Sequence, residues 1–166
     1  MKHRFSEREL LMGRAIADDL PVVLQNNLHQ LQARTTALFQ TFNGPLYVSS
    51  GYRPASINAK VGGATHSLHQ VCAAVDVRDS GDVWQFVLNN LRLCADIGLW
   101  VEDKRWTCVN SESLQGWVHL QIQAPKSQSR IFVPNLQPPI NRNAWNGTYD
   151  RGLNGLQHSF NAVAKR

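Results

Sequence analysis

Ser67-Leu68-His69-Gln70-Val71-Cys72-Ala73-Ala74-Val75-Asp76 is the stretch on which the reading of this chain turns. A histidine stands at a turn, and an aspartate stands in the apolar run that follows it and reads as a strand. Neutral imidazole and carboxylate are both good zinc ligands, and a catalytic zinc takes three protein ligands while keeping one position open. The best third ligand lies in Gly116-Trp117-Val118-His119-Leu120-Gln121, a second run of alternating aromatic and β-branched character. The candidate metal set is therefore His69, Asp76 and His119, with Zn2+ as the expected cofactor. A histidine beside an apolar strand is more often an ordinary hydrogen-bonded residue, so the weight falls on what surrounds it.

Upstream stand Ser49-Ser50-Gly51-Tyr52-Arg53-Pro54, then Ile57-Asn58 and Val61-Gly62-Gly63-Ala64. In this order, with Ser67-x-His69 and Ala74-x-Asp76, they resemble the M15 family of zinc D-Ala-D-Ala carboxypeptidases and phage L-alanyl-D-glutamate endopeptidases. The resemblance runs from about Leu46 to Val133. It implies an α+β fold of the DD-peptidase/hedgehog type, with a small central antiparallel sheet flanked by helices. It also implies a zinc-dependent peptidase acting on peptidoglycan stem peptides beside a D-amino acid, of phage-lysin or virion-associated type. Arg53, Tyr52 and Ser67 are the substrate-binding candidates. A planar guanidinium can hold a peptide carboxylate through two parallel hydrogen bonds. Ser67 orients substrate or the adjoining loop, or simply caps it. His66 is kept as an outer partner of the ligands or a substrate-facing group.

Two departures bear on catalysis. Several M15 branches carry Glu or Asp three positions before the last metal-binding histidine, where this chain has Gly116. Others resemble Leu99-x-x-Glu102-Asp103 followed closely by a Trp-x-His strand, but here 108–115 intervene. The proton-handling carboxylate is therefore expected at Glu102, with Glu112 and Asp103 behind it. If all three are surface carboxylates, the chain is a catalytically degenerate M15-like binding or virion structural protein. A third departure is Cys72, which occupies the usual glycine of the family's His-x-x-Gly-x-Ala-x-Asp; it is expected to be tolerated provided the backbone there does not need positive φ.

At 166 residues the chain suits one domain with a substantial core. Residues 1–134 form the expected peptidase domain with its N-terminal helices, and 135–166 an irregular C-terminal arm suited to particle or self-association. Nothing approaches the ~20 consecutive apolar residues of a membrane span. The basic N-terminus leads into an amphipathic segment without the apolar run of a signal peptide. Cytoplasmic synthesis is the expectation, with action on the cell wall after lysis-linked release or from within a phage particle. The formal charge of +5 is spread without a Lys/Arg block, so no specific nucleic-acid partner is expected. Cys72, Cys94 and Cys108 are odd in number and lack CxxC spacing, which argues against a disulfide framework or a thiolate metal site.

In chain order, Ser6-Glu7-Arg8-Glu9 has the form of a capping box and predicts a helix to about Leu20. A longer helix follows Pro21, with Leu24, Leu28, Leu31, Leu38 and Phe42 on one face and Asn43-Gly44 as the stop. His29 lies on its polar side. A strand over 45–50, a short helix after Pro54, a strand over 72–77 and a helix capped by Ser80 or Asp82 are expected next. Strands over 98–102, around His119 and at Ile131-Phe132-Val133-Pro134 complete the pattern.

Overall fold

The computed structural model describes residues 4–109 and 115–132. The architecture is α+β: one five-stranded sheet, ordered β1-β2-β4-β3-β5, packed with helices around a single core. The strands are β1 (Val48–Ser50), β2 (Ala74–Asp79), β3 (Trp100–Glu102), β4 (Gly116–Gln121) and β5 (Ile131–Phe132). The helices are α1 (Glu7–Leu10), α2 (Val22–Phe39), α3 (Ala55–Lys60), α4 (Asp82–Asn89), α5 (Leu91–Asp96) and α6 (Lys104–Thr107).

The central pair β2 and β4 runs antiparallel, with Val75 opposite Leu120 and Val77 opposite Val118. Alternation of side chains across a strand sends these four to one face. They join a buried cluster with Leu28, Leu31, Leu38 and Phe39 of α2 and Val83 and Val87 of α4. Alternation sends Asp76 and His119 to the opposite face of the sheet, directly across from each other.

The expected antiparallel sheet needs one correction, because β5 pairs parallel with β3. The cause is the path of the chain. Residues 122–130 make a short excursion from the end of β4, which lies beside the start of β3, so β5 sets out in the direction of β3. Arg130 secures the crossing: its guanidinium donates to the Leu99 carbonyl at 2.5 Å and lies 4.3 Å from the Trp100 ring centroid.

Other boundaries also differ from expectation. The Ser6/Glu9 capping box forms, but α1 stops at Leu10 rather than near Leu20. Met12 and Gly13 both take left-handed backbone at φ 56° and 63°, which ends the helix. The Leu10 carbonyl is then used tertiarily, accepting from the Tyr52 N–H at 2.7 Å. The helix expected after Asp79 is broken at Asn90 into α4 and α5. Its cap is neither Ser80 nor Asp82: Asp79 Oδ1 accepts from the N–H groups of Gly81, Val83 and Trp84 at 2.8, 3.0 and 3.2 Å. The 72–77 strand begins two residues later, at Ala74, because Cys72 sits in the left-handed region at φ 56°. The condition for its easy tolerance therefore fails, and Cys72 holds strained backbone that a glycine would adopt freely. The expected arm over 135–166, and Val133-Pro134 of the last strand, lie outside the described residues.

Candidate metal centre

His69 lies in a single 3-10 turn, Leu68–Val71, just before β2. Its Nδ1 is 2.8 Å from the Gly51 carbonyl, a pure acceptor, so this nitrogen carries the ring's proton. Nε2 then faces Asp76 Oδ2 at 3.4 Å. Gly51 can approach in this way only without a side chain, since a Cβ there would stand 1.9 Å from the Leu10 carbonyl oxygen.

Asp76 is the third residue of β2, flanked by Ser50 of β1 and by His119 of β4 in register. Its Oδ1 is 2.7 Å from His119 Nδ1. The two imidazoles meet edge to face with centroids 5.2 Å apart. One ligand atom from each of His69, Asp76 and His119 falls within 4.8 Å of the others. Among the described residues this is the cluster able to hold a metal ion.

Electrostatics here is set by burial competing with pairing. Burial disfavours a charged Asp76, yet hydrogen bonds from His119 and His69 outweigh it and hold the carboxyl well below the usual range. Burial lowers the pKa of His69 despite the pull of Asp76. It works against charge on His119 too, but there Asp76 and Glu102 prevail and the pKa is raised. The donor set suits a divalent metal: each imidazole engages an acceptor outside the cluster through one nitrogen and presents the other to a shared carboxylate. Metal binding at such a cluster displaces protons, in particular the one shared between His119 and Asp76.

Arg53 lies beside this group. Its N–H donates to the His69 carbonyl at 3.0 Å and its guanidinium to Ser67 Oγ at 3.3 Å. The buried Nε has no hydrogen-bond partner. Burial lowers its pKa while the charge of Asp76 raises it, so the guanidinium and the cluster feel each other. Ser67 thus partners Arg53 and does not cap the turn that follows it. Tyr52 is held by its main chain, between the Leu10 carbonyl and the Arg14 guanidinium, and its side chain packs against the core.

Glu102 ends β3, on the strand that pairs with the His119 strand. Burial pushes its carboxyl up to about 7, His119 opposes this, and Asp76 and Asp103 add to it. Asp103 is buried at the entry to α6, its N–H donating to the Phe132 carbonyl at 2.8 Å. Glu112 lies outside the described residues. His66 is exposed and stands outside the metal cluster, and His29 pairs on the surface with Glu7 at 3.3 Å. The three cysteines are buried and not disulfide-bonded, and burial pushes Cys72 and Cys94 up to about 11 and 12, as befits inert thiols. Gln121, whose Oε1 lies 3.3 Å from His119 Nε2, is a neighbour of the cluster that the sequence pattern does not single out, although a polar residue two places from His119 in an apolar strand must share its face.

No helix among the described residues is long and apolar enough to cross a membrane. A search of curated proteins finds no match. The Peptidase M15 family profile, by contrast, matches residues 5–110. That span is the greater part of the chain and includes Arg53, Ser67, His69, Asp76 and Glu102, while His119 lies just beyond it. A histidine and an aspartate inside the matched span meet a histidine outside it in a cluster able to hold the metal of a metallopeptidase, and the chain belongs to the Peptidase M15 family.

Proposed function

We propose that this M15 protein is a zinc peptidase of peptidoglycan stem peptides, cutting a peptide bond beside a D-amino acid. Its setting would be phage lysis or a virion-associated particle, reached without membrane insertion. The observation that carries the reading is the convergence of His69, Asp76 and His119 on one point, with Arg53 on one side and Glu102 on the strand next to His119. A zinc ion held there supplies a bound water with pKa lowered towards ~7 and polarises the scissile carbonyl.

The side chains divide the remaining work. Glu102, on the strand next to His119 and with its carboxyl pKa raised by burial, would accept the proton of the attacking water. As the water oxygen bonds to the carbonyl carbon and the C–N bond breaks, the same carboxyl returns that proton to the departing nitrogen. Arg53 offers a guanidinium whose unpartnered Nε and lightly held terminus suit a substrate carboxylate. Ser67 keeps that fork in place.

One observation favours a rival reading, a peptide-binding or particle protein that has lost catalysis: Gly116 stands where several M15 branches carry an acid. The decisive experiment combines metal analysis with digestion of purified peptidoglycan. The wild type should carry about one zinc per chain, as a three-ligand site implies, and release peptide fragments. Glu102→Gln should keep the zinc and slow release by roughly 10²–10⁴-fold, the usual loss on removing general acid–base assistance. Zinc without any release would install the rival; no zinc would remove both readings.

A further inference from the structure

We propose that Gln121 is a positioning residue of the metal centre, its side-chain oxygen locking the His119 ring so that Nδ1 is turned to Asp76 and the ion. The inference rests on the metal reading above and adds to it a residue that touches neither ion nor substrate. Three observations carry it. The His119 Nε2 lies 3.3 Å from Gln121 Oε1, while Nδ1 lies 2.7 Å from Asp76 Oδ1. Gln121 Nε2 donates to the Gln123 carbonyl at 2.6 Å. Gln121 is itself buried, 6% exposed, on the same face of β4 as His119.

The second of these fixes the chemistry of the first. An amide side chain carries a donor and an acceptor end that can exchange places by rotation. A carbonyl can only accept, so the Gln123 carbonyl claims the NH2 end, and the oxygen must face the imidazole. An acceptor facing Nε2 keeps a proton on that nitrogen, so that once an ion displaces the proton shared by Nδ1 and Asp76, the neutral ring has its lone pair on Nδ1. Phe132, edge to face at 6.2 Å, confines the ring from another direction. His69 is held by the same logic through the Gly51 carbonyl, but there the acceptor is main chain and here it is a replaceable side chain.

The test uses the full chain, stripped with EDTA and titrated with Zn2+ against a chromogenic chelator, for wild type, Gln121→Met and Gln121→Glu. Methionine keeps the length and burial but removes the acceptor; glutamate keeps an acceptor. Expected is a loss of zinc affinity of about 10–100-fold for Met, the usual consequence of deleting an outer partner of a metal-binding histidine, with Glu as tight as wild type or tighter. Near-UV circular dichroism of the stripped proteins checks folding. Equal affinity of Met and wild type would overturn the proposal, as would equal weakening by Met and Glu, which would point to the Gln123 contact instead. Should Met fail to fold, Glu and the wild type still decide. In zinc-loaded wild type, a long-range 1H–15N spectrum should place the His119 proton on Nε2, and a proton on Nδ1 would sink the idea. A wild type that binds no zinc is a different failure, that of the metal reading itself.

Discussion

Gly116 shows how a single position can look like a lost function and be a steric necessity. Its φ of 156° lies in the range that side chains avoid, and a Cβ there would stand 2.1 Å from the Thr107 carbonyl oxygen and 2.9 Å from Cys108 Cα. The backbone leaving α6 has taken the space. An acid at this position could not be accommodated in this backbone, so under the proposed peptidase reading the proton-handling role would have to fall to a carboxylate elsewhere, such as Glu102. Gly116→Ala should lower the stability of the fold by about 3 kcal/mol, the upper range for forcing atoms into packed space, read as a shift of the urea midpoint. An unchanged midpoint would mean that the α6 backbone yields easily. Cys72 is the converse case. The sequence shows only that the family's glycine is missing; the left-handed backbone beneath it, which makes that absence costly, emerges only in the folded chain.

At the scale of elements, Asp79 joins three of them. One carboxylate oxygen caps α4 through three N–H groups, and the other meets the Lys104 ammonium of α6 at 2.6 Å, with both side chains buried. Lys104 also donates to the Trp117 carbonyl of β4 at 3.1 Å. The pin thus ties the start of α6, two residues past Glu102, to the strand that carries His119. Replacing Lys104 by Met leaves a buried carboxylate without its cation, a change that typically costs about 3–5 kcal/mol. Thermal and urea unfolding should both show it, and a loss under about 1 kcal/mol, the value of an exposed pair, would mean that water reaches Asp79. This pin is not legible in the sequence. Ser80 and Asp82 are the better cap candidates by position, and Asp79 takes the role only because the strand delivers its carboxylate beneath the helix while Lys104 arrives from 25 residues downstream. The length of α1 is hidden for the same reason: its periodicity continues past Leu10, but the Met12-Gly13 turn is required by the approach of Leu10 to Gly51 and Tyr52.

Over the whole molecule, the strands and the residues of the His69, Asp76 and His119 cluster are legible in the sequence because alternation and residue type are local signals, whereas the parallel seating of β5 and the acceptor at Gln121 depend on how distant segments meet. The pH dependence of folding belongs to that second kind. Metal-free protein carries Glu102 with its carboxyl raised to about 7 from an ordinary 4.5 by burial, with Asp76 and Asp103 adding and His119 opposing. Between those values the folded state holds a proton that the unfolded chain has released, so its contribution to stability is full below 4.5 and lost as pH rises through 7. His119, also raised, acts in the same direction, and His69, lowered, acts against both. Total stability is thus a balance, and the difference between wild type and Glu102→Gln reads Glu102 together with the part of the His119 shift that Glu102 causes. The stripped proteins should be equally stable near pH 4. By pH 8 the Gln variant should be ahead by about 2 kcal/mol, allowing for partial exposure of the group. Zinc should then narrow that gap, since a cation at the cluster gives the ionised Glu102 a counter-charge that the glutamine cannot use. At one zinc concentration both proteins should gain stability, about 2.7 kcal/mol for the variant at a hundredfold excess over its dissociation constant and more for the tighter-binding wild type. A gap that is the same at pH 4 and pH 8 would show that Glu102 titrates normally and would remove the basis for its role as the base.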